Sequence, residues 1–322
     1  MEVSFQVSLV ITVLALAILL VFFAGSLPLF DLNRWALREV GWLAKGPSGI
    51  FRALQLALWM YLGIEQLPLA AEEAHDPARD MPKGMLLGLA TLILFAFLTI
   101  GLNAGIAPGA GAVGRSNESL FLGLRTIFGN NATARLLALV GCTGLLASFH
   151  AIIFAYGRQI YSLSRAGYFP TWLSVTHGRR QTPDRALIAG SLLGFVAALL
   201  IYLTGEKSLI GATLLNRAVF GAVIAYIFQM VSFIRLRLRF PLRSPLTPRP
   251  CRSPLGIPGA LLGMLIAAAT LVTLFLNSDY RPGLLGAAVW LLPGIAWFAA
   301  GGRQRLVLAP EEKFAEEVRA ET

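Results

Sequence analysis

The chain's 322 residues would suffice for two soluble domains, but 56% of them are hydrophobic and 14% charged. With a mean hydropathy of +0.69, this balance excludes an ordinary soluble protein and implies a membrane one. The formal net charge of +10 is carried in short segments between apolar runs, which fits membrane topology and anionic lipid and argues against nucleic acid.

A helix needs about 20 apolar residues to cross roughly 30 Å of hydrocarbon. Eight such stretches are legible in chain order: 4–26, 53–71, 84–106, 136–160, 186–205, 209–234, 257–277 and 283–302. The first is too long and too sparsely basic at its start for a cleaved signal. The runs are continuous rather than alternating, which predicts helices and not barrel strands. The expected fold is therefore all-α and polytopic, with a transmembrane domain over 1–305 and a polar tail over 306–322.

With the N-terminus taken as inside, the inner segments hold sixteen Lys and Arg and the outer ones nine, while Arg158 and Arg217 fall at or within spans. That asymmetry places both termini in the cytoplasm. Cys142 and Cys251 offer neither a metal-ligand spacing nor a disulfide, and no metal or cofactor is expected. The stretch Gly109-Ala-Gly-Ala-Val-Gly114 fits the dinucleotide fingerprint, but it follows a span instead of a strand and reads as a flexible loop. Gly101 with Gly105, Gly190 with Gly194 and Gly259 with Gly263 have the spacing that lets helices approach, and report packing. Asn117-Glu-Ser119 and Asn131-Ala-Thr133 fit glycosylation spacing and carry no weight.

The second span is the informative one: Leu58-Trp-Met-Tyr-Leu-Gly-Ile-Glu-Gln-Leu-Pro-Leu-Ala-Ala-Glu-Glu73. A carboxylate in hydrocarbon is costly, so Glu65 is expected to face protein or water and is a functional candidate by default. Gly63 and Pro68 weaken the helix on either side of it, and broken helices near the midplane are where transporters expose backbone to substrate. The plain alternative is a kinked helix whose acid pairs with a neighbour. In the fourth span Ser148, Phe149 and His150 lie four to five turns before the inner end, near mid-membrane. There His150 is either a proton relay or a histidine bonded to a carbonyl. Tyr156, Arg158 and Arg165 lie toward the inner end and read as anchors and inner-gate candidates. The loop holding Glu72, Glu73, His75, Asp76, Arg79, Asp80 and Lys83 mixes signs and suits reciprocal ion pairs or a solvated loop. Arg217 interrupts the sixth span or marks where its apolar part begins.

Trp59 to Glu65, followed by Ala71-Glu-Glu-Ala-His-Asp-Pro-Ala-Arg-Asp-Met-Pro-Lys83, resembles the sixth helix and following loop of the amino acid/polyamine/organocation transporters. Asn103-Ala-Gly-Ile-Ala-Pro-Gly109, Ser116-Asn-Glu118, Ala147 through Pro170 and Ser253-Pro-Leu-Gly-Ile-Pro-Gly259 are similar to the ethanolamine permeases of that superfamily. The resemblance implies a twelve-span fold of two inverted five-helix repeats plus two peripheral helices. The eight spans here match its fifth to twelfth helices, and the chain is expected to be a form lacking the first four. It implies a secondary active permease for ethanolamine or a related small amine in the cell inner membrane, with the proton as candidate coupling ion. An amino acid permease of the same superfamily and a non-transporting remnant are the alternatives. By the same resemblance, Trp59 is an aromatic against the substrate, Tyr61, Leu62 and Gly63 form an unwound turn offering carbonyls, and Glu65 serves gating or proton coupling. Glu72, Asp76 and Arg79, with Arg158 and Arg165, belong to the inner gate. The lysine that replaces a sodium ion in several members has no counterpart in Thr12-Val-Leu-Ala-Leu-Ala17. No nucleophile, base and orienting group converge, so an enzyme is not expected.

Overall fold

The computed structural model describes residues 2–38, 40–43, 45–116, 118–178, 182–205, 208–239, 253–276 and 281–308. Among these, seven helices are long and apolar enough to cross a membrane. The helices are α1 (Glu2–Ser26), α2 (Pro47–Tyr61), α3 (Pro77–Ala104), α4 (Ala110–Val113), α5 (Ser119–Phe128), α6 (Ala132–Gly141), α7 (Thr143–Arg165), α8 (Asp184–Thr204), α9 (Leu209–Arg239), α10 (Gly256–Leu276) and α11 (Arg281–Ala300). The span expected over 53–71 is divided: α2 ends at Tyr61 and a 3-10 segment, Ile64–Glu73, follows. Residues 109–114, expected as a flexible loop, instead contain the single turn α4 behind Gly109 at φ 98°. Most of the tail, 309–322, and the inner arginines Arg179, Arg180, Arg243, Arg249 and Arg252 lie outside the described residues, as does Asn117.

Helix ends follow the local chemistry. Asp76 caps α3, accepting from the Arg79 N–H at 3.3 Å, and Pro77 occupies the first helical position, where a missing N–H costs nothing. Asn131 Oδ1 caps α6 by accepting from Ala134 N at 3.1 Å, while its Nδ2 donates to Phe128 O. Both polar atoms of that side chain are thus engaged in turning the chain. α6 and α7 form nearly one rod, interrupted at Cys142.

The chain packs as two units, Met1–Ala53 with Gly63–Ile152 and Leu54–Leu62 with Ile153–Thr322. In the first, Phe22, Phe23, Leu102, Ile106 and Leu124 form a core joining α1, the end of α3 and α5. The Phe23 and Phe95 rings meet edge to face at 5.4 Å. Buried Asn103 ties α3 to the start of α5 by donating to Ser119 O at 2.9 Å. Gly123 admits this approach, since a Cβ there would stand 2.6 Å from the Phe22 ring.

In the second unit α9 is the central helix, packed on both α10 and α11. Val219, Phe220, Val223, Ala267, Leu274, Leu284 and Ala287 are its core, with Leu58 of α2 against them. α7 and α8 meet where Tyr156 lies over Gly190, its hydroxyl 2.6 Å from Ser191 Oγ and donating to Leu187 O at 3.2 Å. Beyond α11, Val307 N donates to Ala166 O at 3.2 Å, and Phe298 stacks on Tyr168. The remaining faces of the long helices carry Leu, Ile, Val and Phe to the outside, a surface that a protein in water would not expose and lipid accommodates.

Candidate functional site

The break in the second expected span is built by its own sequence. α2 ends at Tyr61, and Gly63 adopts φ 108° and ψ −16°, a left-handed conformation that glycine alone accepts cheaply. A Cβ at Gly63 would meet nothing within 4 Å, so backbone conformation and not space demands glycine there. Past it the chain continues in 3-10 form, with Gln66 N donating to Gly63 O at 3.0 Å and Pro68 inside the segment. Proline removes one donor and stops the α-helical ladder from resuming.

Glu65 turns back on this break. Its Oε2 accepts from Gly63 N at 2.9 Å in a half-buried setting. The carboxylate thereby satisfies an amide that the helix end would leave open. On the other side of the break, Leu62 N reaches Trp59 O at 3.4 Å, and the last carbonyls of α2 form the negative end of a helix dipole. A carboxylate is a feature that attracts a cation.

The remaining expected site residues divide between the units. Trp59, Tyr61 and Leu62 belong to the second, Trp59 being exposed and the others half-buried; Gly63, Glu65, Ser148, Phe149 and His150 belong to the first. Ser148 and Phe149 are exposed on α7, and His150 is half-buried. The 3-10 segment carrying Glu65 and Glu72 packs along α3, where Ile64 and Leu67 lie beside Gly88. Of the gate candidates, Asp76 is occupied as the α3 cap and Arg79 is exposed. Arg158 stacks on Phe154 at 4.6 Å and Arg165 on Tyr161 at 5.5 Å, each over an aromatic one turn earlier in α7. Glu65, His150, Arg158 and Arg165 all have partners.

Sequence reasoning missed the contact of Tyr156 with Ser191 and the Asn103 clamp, although a lone Asn in an apolar span is a legible sign of a buried hydrogen bond. It also missed a groove of about 720 Å³ beside α5, α6 and the start of α7, lined by Glu118, Phe121, Arg135, Leu139, Cys142 and Leu145 among others. None of the expected site residues lines it.

The family model for amino acid permeases matches residues 1–295. The chain belongs to the amino acid permease family. An uncharacterized transporter of Rhizobium meliloti (strain 1021) is 30% identical over 200 residues, covering 62% of this chain and 41% of that protein. A branched-chain amino acid permease of Bacillus subtilis (strain 168) is 26% identical over 292 residues, 91% of this chain and 58% of its own length. A D-serine/D-alanine/glycine transporter of Escherichia coli (strain K12) is 23% identical over 267 residues, 82% of this chain and 55% of its own. The chain thus spans about half the length of the curated relatives it matches. Membership in this permease family, whose members are transporters, agrees with the apolar helices: the chain is a multi-pass membrane protein.

Proposed function

We propose that this permease chain recognises the ammonium group of a small amine, ethanolamine or a close relative, for secondary active transport. The carrying observation is the break at Gly63 with the Glu65 carboxylate folded onto it. An ammonium offers three donors and no acceptor, and the Glu65 carboxylate is a complementary acceptor. Trp59 adds an indole face that attracts alkylammonium ions by about 0.5–2 kcal/mol. A proton is the coupling ion of this reading, with Glu65 and His150 as candidate carriers. Glu72, Asp76, Arg79, Arg158 and Arg165 serve the inner gate, and both termini are cytoplasmic in the inner membrane.

An amino acid substrate is the second reading, favoured by the similarity to transporters named for branched-chain amino acids and for D-serine, D-alanine and glycine. Both substrate classes bring an ammonium, and only the second brings a carboxylate. Uptake of labelled ethanolamine into proteoliposomes, competed with glycine, D-alanine, leucine and unlabelled ethanolamine, separates them. Uptake that only unlabelled ethanolamine competes supports the amine reading; no uptake of labelled ethanolamine, with uptake of labelled glycine, D-alanine or leucine into the same proteoliposomes, overturns it. Glu65→Gln is expected to weaken amine uptake about tenfold or more, since hydrogen bonds to charged groups contribute roughly 1.5–3 kcal/mol.

A further inference from the structure

We propose that Arg217 and Trp290 form a seat for the phosphate of an anionic phospholipid in the leaflet nearest the connection between α8 and α9. In the second unit α9 and α11 run in parallel register. Gly286 sits directly against Thr213, where a Cβ would collide. Four residues further along both helices, Arg217 Cζ lies 4.5 Å from the centroid of the Trp290 ring. Arg217 stands eight residues after Leu209 and Trp290 nine after Arg281, so the pair is about 12–13 Å along the helices from their starts. Arg217 follows Asn216 and opens the apolar stretch Arg217–Arg239 of α9, which puts its guanidinium at the edge of the span.

That charge favours an anion. Arginine stays protonated at any physiological pH, and a basic residue at the edge of the hydrocarbon is attracted to anionic lipid. From residue 185 to residue 308 the described residues include no Asp or Glu. The two acids of that stretch, Glu206 and Asp279, lie outside the described residues, eleven positions ahead of Arg217 and Trp290 respectively. Asp184 opens α8, whose 21 residues carry it about 30 Å from the α8–α9 connection, and it is engaged with Thr182 Oγ1 at 2.7 Å.

The surroundings say which anion. Trp290 is 62% exposed, and Val289, Leu292 and Ile295 beside it are exposed as well, so this face meets lipid tails. The N–H edge of a guanidinium matches two oxygens of a phosphate. A net-negative headgroup is preferred over phosphatidylcholine, because a trimethylammonium would bring a second cation to a ring face already holding one.

The test uses the full chain in nanodiscs of phosphatidylcholine containing phosphatidylglycerol. Native mass spectrometry of wild type, Arg217→Gln and Arg217→Lys counts the phosphatidylglycerol retained. The tightest-held molecule is expected to be lost with roughly fivefold greater ease from Arg217→Gln, the factor for one basic residue near a charged leaflet, and to be partly kept by Arg217→Lys. In parallel, the six tryptophans are quenched with brominated phosphatidylglycerol or brominated phosphatidylcholine in wild type and Trp290→Phe, which reads the site in a chain that keeps its arginine. Excess quenching by the anionic lipid that disappears in Trp290→Phe supports the seat. Equal quenching by the two lipids, or equal retention in wild type and Arg217→Gln, overturns it.

Discussion

At the residue scale the second expected span turns on one backbone angle. Gly63 at φ 108° has open space around it, so Gly63→Ala adds no collision and tests conformation alone. Placing alanine in a left-handed conformation costs about 1–2 kcal/mol, and the variant is expected to shift the chain toward a straighter helix. Uptake should fall while expression and detergent extraction stay near wild type. Gly190 presents the opposite case: a Cβ there would run into the Tyr156 ring, and overpacking of this kind costs about 1–3 kcal/mol. Gly190→Ala should lower the melting temperature of the purified chain, and Tyr156→Leu combined with it should recover part of the loss. The glycine and the acid of the second span were legible in the sequence because a carboxylate inside an apolar run demands an explanation. The Tyr156–Ser191 contact was not, since it joins residues 35 apart and nothing in either helix names its partner.

At the element scale, caps and breakers decide where helices stop, and those signals are local enough to read. Asp76 followed by Pro77 announces the start of α3, and the structure places the cap there. Asp76→Ala is expected to lose about 0.5–2 kcal/mol, seen as faster hydrogen exchange in the first turn of α3, with little change elsewhere. Because Asp76 serves as a cap, its loss also tests the gate assignment: if uptake falls no more than the cap's stability predicts, the residue is structural. The Gly-rich stretch 109–114 has the composition of loose chain, yet it holds a helical turn. The neighbouring bond of Thr126 Oγ1 to Ala107 O at 2.6 Å ties α5 to the chain just ahead of that turn, a contact that pattern alone omits.

At the scale of the whole molecule, the apolar runs were legible as spans, and seven of the described helices meet that expectation. Hydropathy reads burial in lipid directly, since the seven helices, 18 to 34 residues long, are near or above the length that hydrocarbon requires. Packing between helices has no such signature, which is why the two cores around Phe22 and around Val223 could not be drawn from the sequence. The basic inner segments predict a sidedness that can be checked. In right-side-out vesicles with Cys142 and Cys251 replaced, Ser208→Cys between α8 and α9 should label from outside and Asp80→Cys before the third span only after permeabilisation; the reverse pattern would refute the assigned orientation.

The bond from Val307 to the carbonyl of Ala166 has a practical corollary for anyone making this chain. A purification handle that replaces everything after Ala300 removes that tie along with the turn preceding it, and the chain should then come out of detergent less homogeneous. A handle joined after Leu308 keeps the tie and is the better fusion point.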